Sequence, residues 1–140
     1  TQTKRAQVHP DGKPLVGKRI LLAEDNDLNA EIAIALLEEE GLLVERAADG
    51  VKCMEMLEKA PAHYYELILM DIQMPILGGY DTTRKIRRMA DAEKAAIPII
   101  AMTANAFAED KQRALEAGMN DHVAKPIDMN VLLRVMMKYL

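Results

Sequence analysis

Five polar side chains stand immediately after short apolar runs, and their types together are able to do chemistry. Glu24 and Asp25 follow "RILLA" (residues 19–23), Asp71 follows "ELILM" (66–70), Thr103 follows "PIIAM" (98–102) and Lys125 follows "HVA" (122–124). Carboxylates gathered in one place repel: a pair of unit charges ~4 Å apart costs ~4 kcal/mol at the effective dielectric of a protein surface. A proton on one of them, or a divalent cation, offsets that cost. An all-oxygen acidic site with neither His nor Cys prefers Mg2+, Mn2+ or Ca2+ to zinc, and few protein ligands with open positions favour Mg2+. A carboxylate beside such an ion, with an ammonium and a hydroxyl close by, is a nucleophile for a phosphoryl group.

For these five residues to meet, the ends of four apolar runs must lie together. After residues 1–17, which mix Pro, Gly and polar residues and read as a linker or tail, strand-like and helix-like patterns alternate. Strands are expected at 19–23, 42–48, 66–70, 98–102 and 122–124. Helices are expected at 27–41 with a stop at Gly41, 50–60, 81–95 with Asp81 as N-cap, 105–118 with a stop at Gly118, and 128–140. Five strands alternating with five helices imply one α/β domain, 18–140, with a parallel sheet covered on both faces. In such open sheets ligands sit at the carboxyl ends of the strands. Residues placed just after each run therefore share one rim.

Composition narrows the class. A chain of 140 residues, half of them hydrophobic, suits a single domain with one core. A net charge of −4 and a pI near 5.4 lack the basic footprint of a nucleic-acid binder. The single cysteine, Cys53, forms no intrachain disulfide and fits a reducing, cytoplasmic compartment. No apolar run approaches the ~18 residues of a membrane span, so no membrane contact is expected of this domain.

Four motifs, "LLAEDN", "LMDIQMPILGG", "AMTAN" and "DHVAKPI", occur in that order and spacing. Over residues 18–140 the chain thereby resembles the receiver (response regulator) domain of two-component phosphorelays. The resemblance implies a flavodoxin-like (βα)5 fold with strand order 2-1-3-4-5. It makes Asp71 the phosphoacceptor, and Glu24 and Asp25 the acidic pair that binds Mg2+ (or Mn2+) with Asp71 and the backbone carbonyl of Gln73. Thr103 and Lys125 become the hydroxyl and cation that meet the phosphoryl group, and Gln73 and Asn105 the residues that tune hydrolysis. It further implies a cis Lys125–Pro126 bond and an acceptor loop shaped by Pro75, Gly78 and Gly79. The partner is then a histidine kinase dimerisation and phosphotransfer domain or a histidine phosphotransfer domain, and the receiver itself a monomer or weak dimer. "LLAEDNDLN" and "MNDHVAKPID" look most like receivers attached to hybrid sensor kinases. The start on Thr and the end directly after the last helix fit such a piece of a larger parent.

Two other readings lack residues that they need. A haloacid-dehalogenase phosphatase wants a second acid two positions after the nucleophile, where this chain has Gln73. A flavin binder wants aromatic stacking and a phosphate-cradling loop, but there is no Trp and the loop is "AEDND". A stand-alone regulator or a non-phosphorylated interaction module remain the alternatives. In the first helix, Ile32, Ala33, Leu36 and Leu37 span one arc and are expected to face the sheet. Ala30 and Ile34 then form an exposed pair on which a helical partner docks. His122 stands where the family often has Tyr or Phe. It is expected to be half-buried or solvent-facing without a special role, the alternative being a pH-sensitive switch.

Overall fold

The runs at 19–23, 66–70 and 98–102 are continuously apolar because the three central strands are buried on both faces, and the computed structural model, which describes residues 15–104 and 108–140, separates the two sets. On one face lie Ile20, Leu22, Leu67, Leu69, Ile100 and Met102; on the other lie Leu21, Ala23, Ile68, Met70, Ile99 and Ala101. This is the two-residue alternation of a pleated strand. The strands are β1 (Arg19–Ala23), β2 (Leu43–Ala47), β3 (Leu67–Asp71), β4 (Ile99–Thr103) and β5 (Asp121–Ala124). They pair in parallel in the order β2-β1-β3-β4-β5, as expected.

Helices α1 (Asp27–Glu39) and α6 (Met129–Met137) cover the first face. The other is covered by α2 (Gly50–Lys59), α3 (Gly79–Arg87) and α5 (Ala108–Ala117), with Cys53 of α2 fully buried. Burial, with the nearby charge of Asp49 adding to it, pushes the Cys53 thiol up to about 12. Gly41 and Gly118 close their helices at φ +90° and +108°, conformations that other residues adopt only under strain.

Two expectations for residues 81–95 are corrected. The helix expected at 81–95 is two helices, α3 and a short α4 (Ala92–Ala95), so six helices are present among the described residues. Asp81 is not the N-cap; α3 starts after Gly78, and Asp81 in the first turn pairs with Arg84 at 2.9 Å. The break has a cause on each side. Arg87 donates to the carbonyls of Ala95, Ile97 and Gly118, tying the chain back on itself, and Asp91 caps α4 through the N–H groups of Glu93 and Lys94.

The first helix is rotated from the expected setting. Ala30 is 1% exposed, Ile34 packs half-buried against the core, and Ile32 is 52% exposed. The pair Ala30 and Ile34 is therefore no docking surface. Both arcs are apolar, but Ala30, Ala33, Ile34 and Leu37 follow the i, i+3, i+4, i+7 spacing, and two alanines let the helix approach the sheet closely. The boundary also moves: Leu15 is fully buried and the Gly17 N–H donates to the Gly41 carbonyl at 2.8 Å, so the packed fold includes residues assigned to the linker.

The loop between β3 and α3 carries one strained residue. Ile76 has φ +69°, is 81% exposed, and sits at the tip of a turn closed by the Leu77 N–H on the Pro75 carbonyl at 2.7 Å. A β-branched residue there is held against its preference. Ile76→Asn is expected to stabilise the fold by about 1 kcal/mol, since Asn tolerates this conformation and little burial is lost. A urea midpoint that fails to rise would contradict the strain.

Candidate functional site

The parallel register brings the last residues of β1, β3, β4 and β5 to one edge, and there the polar residues meet. Glu24 leaves β1 with its N–H bonded to the Ala47 carbonyl at the end of β2 (3.0 Å). Its carboxylate is buried, with Oε1 3.2 Å from Lys125 Nζ and Oε2 accepting from the Asn26 N–H at 3.1 Å. Asp25, next in the chain, is exposed. Asp71 is the last residue of β3 rather than the first of the loop, and it too is buried. Its Oδ1 lies 3.1 Å from Lys125 Nζ and accepts from the Gln73 N–H at 3.2 Å. Thr103 ends β4, and its carbonyl accepts from the Lys125 N–H at 2.8 Å. The Lys125–Pro126 peptide is cis. Asn26 closes the acidic loop by capping α1 through the Asn29 N–H at 2.9 Å.

Electrostatics follow from this packing. Burial pushes the Asp71 carboxyl up to about 6, and the charge of Glu24 adds to the rise, against the opposing pull of Lys125 and the Gln73 N–H. Burial alone would lower the Lys125 ammonium, but its bonds and charge interactions with Asp71 and Glu24 outweigh that and raise it. Lys125 therefore stays protonated as the shared counter-ion of two buried acids. Carboxylate oxygens of Glu24, Asp25 and Asp71 all lie within 4.8 Å of one another. Three hard oxygen donors, one exposed to solvent and one with a raised pKa, suit a small divalent cation such as Mg2+.

Two openings flank the acids. A cavity of about 150 Å³ beside Asp71 is lined by Gln73, Tyr80, Thr103, Arg113 and Lys125 among others. A groove of about 350 Å³ runs between α1 and the segment after β5, lined by Glu24, Asn29, Ile32, Ala33, Lys125 and Ile127. All five rim residues read from the sequence thus come together. Asn105 lies outside the described residues. His122 sits half-buried in β5 with Nδ1 3.9 Å from Asp121 Oδ1. Sequence reasoning missed Tyr80, Arg113 and Arg46. Arg46 donates from Nε to the Glu24 carbonyl (2.9 Å) and from Nη1 to Asp27 Oδ1 (2.8 Å). Tyr80 directly follows the motif that ends at Gly79, and its adjacency was the signal available; Arg46 and Arg113 lie outside the motifs and carry no signal until the elements are packed.

Comparison with known proteins bears on this geometry. A family model, the response regulator receiver domain, matches residues 20–137. Hybrid signal transduction histidine kinase I of Dictyostelium discoideum is 38% identical over 135 residues, which cover 95% of this chain and 8% of that protein. Histidine protein kinase 1 of Candida albicans is 43% identical over 127 residues, covering 86% of this chain and 5% of that protein. The chain thus spans less than a tenth of the length of either relative. Among solved structures, the receiver domain of a sensor histidine kinase from Pseudomonas aeruginosa PAO1, with a magnesium ion coordinated in its active site cleft, is 40% identical with a TM-score of 0.78. The match covers 89% of this chain and 98% of that one. The receiver domain of a Saccharomyces cerevisiae response regulator, crystallised with its histidine phosphotransfer protein, is 26% identical with a TM-score of 0.78, covering 89% of this chain and 90% of that one.

Proposed function

This chain belongs to the response regulator receiver domain family, and from that premise we propose that Asp71 is the residue on which it carries a phosphoryl group. The observation that supports this most directly is the buried Asp71 carboxylate, bonded to Lys125 and clustered with Glu24 and Asp25. Among the described residues both hydrogen bonds to Asp71 fall on Oδ1, which leaves Oδ2 as the attacking oxygen. As Oδ2 bonds to phosphorus, the phosphorus–nitrogen bond of a phosphohistidine breaks and the imidazole leaves with the electron pair. Glu24, Asp25 and Asp71, with the Gln73 carbonyl, would hold Mg2+ or Mn2+, which supplies charge neutralisation for the transferring group. Lys125 moves its ammonium from the two carboxylates to a phosphoryl oxygen, and the Thr103 hydroxyl donates to another.

The test is intact mass after incubation with acetyl phosphate, with and without Mg2+, beside Asp71→Ala. One added phosphoryl group that requires both Mg2+ and Asp71 is expected. A folded wild type that takes up none would leave an interaction module without phosphoryl chemistry.

The parent we infer is a hybrid histidine kinase, and the donor a histidine phosphotransfer helix or the equivalent kinase domain. The groove beside α1 shares Glu24 and Lys125 with the acidic site, so a helix seated there brings its imidazole to Asp71. Leu28 and Ile32, both exposed on that helix, replace Ala30 and Ile34 as the apolar contacts. Ile32→Asp is expected to slow transfer from a phosphorylated histidine phosphotransfer protein by about tenfold while leaving acetyl phosphate labelling unchanged. Equal slowing of both reactions would place Ile32 in the fold rather than in docking.

A further inference from the structure

The segment that follows β1 reads Glu24-Asp25-Asn26-Asp27, three acids within four residues and the last of them the first residue of α1, yet among the described residues only Glu24 and Asp25 join Asp71 in the cluster of close oxygens. Arg46 contacts both ends of this segment. It stands on β2, where it pairs in register with Leu22, and its guanidinium reaches over the strand end to grip the loop at two points. Nε holds the Glu24 carbonyl at 2.9 Å, and Nη1 holds Asp27 Oδ1 at 2.8 Å. Asp25 lies between the two anchors. The Asp27 carboxylate is 93% exposed and the Arg46 side chain 24%, so their ion pair adds little to stability. The third nitrogen, Nη2, is buried with no partner among the described residues, which costs stability rather than adding to it. What Arg46 supplies is a fixed loop with its third acid occupied.

We propose that Arg46 is a positioning residue that sets the cation preference of the acidic site, favouring Mg2+ over Ca2+. The inference rests on the reading of Glu24, Asp25 and Asp71 as the Mg2+ ligands. The physical reason is the difference between the ions. Mg2+ demands six ligands at about 2.0–2.1 Å in near-ideal octahedral geometry, whereas Ca2+ accepts six to eight at about 2.3–2.6 Å in flexible arrangements. A loop pinned at the Glu24 carbonyl keeps the site small, and an Asp27 turned toward Arg46 adds no further oxygen. Release of both anchors lets the loop open and Asp27 turn inward, a change that Mg2+ tolerates less well than Ca2+.

Calorimetric titration of the metal-free chain with MgCl2 and with CaCl2 tests this. The proteins are wild type, Arg46→Lys, Arg46→Met and the double variant Arg46→Met/Asp27→Asn. Arg46→Met is expected to weaken Mg2+ binding by about tenfold, the scale typical of residues that orient metal ligands, and Ca2+ binding by clearly less. Arg46→Lys keeps the charge but has one nitrogen for two anchors, and is expected to lose the preference as well. Removing Asp27 in the double variant is expected to lower Ca2+ affinity and return part of the preference. Equal shifts for both ions, or none, in Arg46→Lys and Arg46→Met would overturn the assignment, because loss of charge or general loosening moves both ions alike. A wild type that binds no Mg2+ would instead remove the reading of the acidic site itself, and the role of Arg46 with it.

Discussion

In metal-free buffer at about pH 7.5, Asp71→Asn is expected to be more stable than the wild type, by about 1–3 kcal/mol. Burial, with the charge of Glu24 adding to it, pushes the Asp71 carboxyl up to about 6 in the folded chain against 3.8 for the free side chain. Between those values the folded state binds more protons than the unfolded state. Stability therefore falls as pH rises through that window, and the full penalty of ionising Asp71 is present above it. Asn keeps the Oδ1 that accepts from the Gln73 N–H and carries no charge to desolvate, while Lys125 retains Glu24 at 3.2 Å. Urea unfolding in EDTA at several pH values checks the sign. The two proteins are expected to converge below about pH 4, to separate between about pH 4 and 6, and to keep a constant gap above that. A less stable Asp71→Asn at neutral pH would show that the Lys125 ion pair outweighs the burial. Mg2+ at a hundredfold excess over its dissociation constant is expected to return about 2.7 kcal/mol to the wild type, and less to the variant that lacks one ligand charge.

Gly79→Ala is expected to cost about 3 kcal/mol or more and to abolish phosphoryl uptake from acetyl phosphate, whereas Gly78→Ser is expected to stay within about 1 kcal/mol of wild type. The two glycines are neighbours with different surroundings. A Cβ on Gly79 would lie 2.4 Å from the Asp71 carbonyl oxygen and 2.8 Å from the Ile72 Cα, both backbone atoms at the end of β3. Relief requires moving the backbone of Asp71 itself. A Cβ on Gly78 meets only the Ile72 carbonyl oxygen, at 3.4 Å, and a Ser there sits at the N-cap of α3, where its hydroxyl accepts from a helix N–H. Thermal unfolding and acetyl phosphate labelling of both variants decide the matter. A stable, labelled Gly79→Ala would mean that β3 and α3 are free to separate.

Strand positions were legible because sheet burial imposes a pattern within five or six residues. "RILLA" matches β1 residue for residue, while the runs 66–70 and 98–102 lie one residue early, taking in Glu66 and Pro98 and leaving out the Asp71 and Thr103 that end their strands. A charged or hydroxyl residue at a strand end looks like a loop when only its type is read. The break between α3 and α4 was not legible, since 81–95 is helix-compatible throughout and the bend is imposed by Arg87 reaching carbonyls up to 31 residues away. Nor was the rotation of α1, whose sequence carries two apolar arcs of similar strength.

Local order along the chain was enough for the alternation of elements, the meeting of Glu24, Asp25, Asp71, Thr103 and Lys125 at one rim, and the chemistry their types allow. Those conclusions need only strand periodicity and the rule that parallel strands end together. The packed chain alone decided which arc of α1 faces the sheet, that Lys125 bridges Glu24 and Asp71, and that Arg46 grips the acidic loop from the neighbouring strand. Each of these depends on distances between residues far apart in sequence, and such distances are set by how whole elements fit against one another.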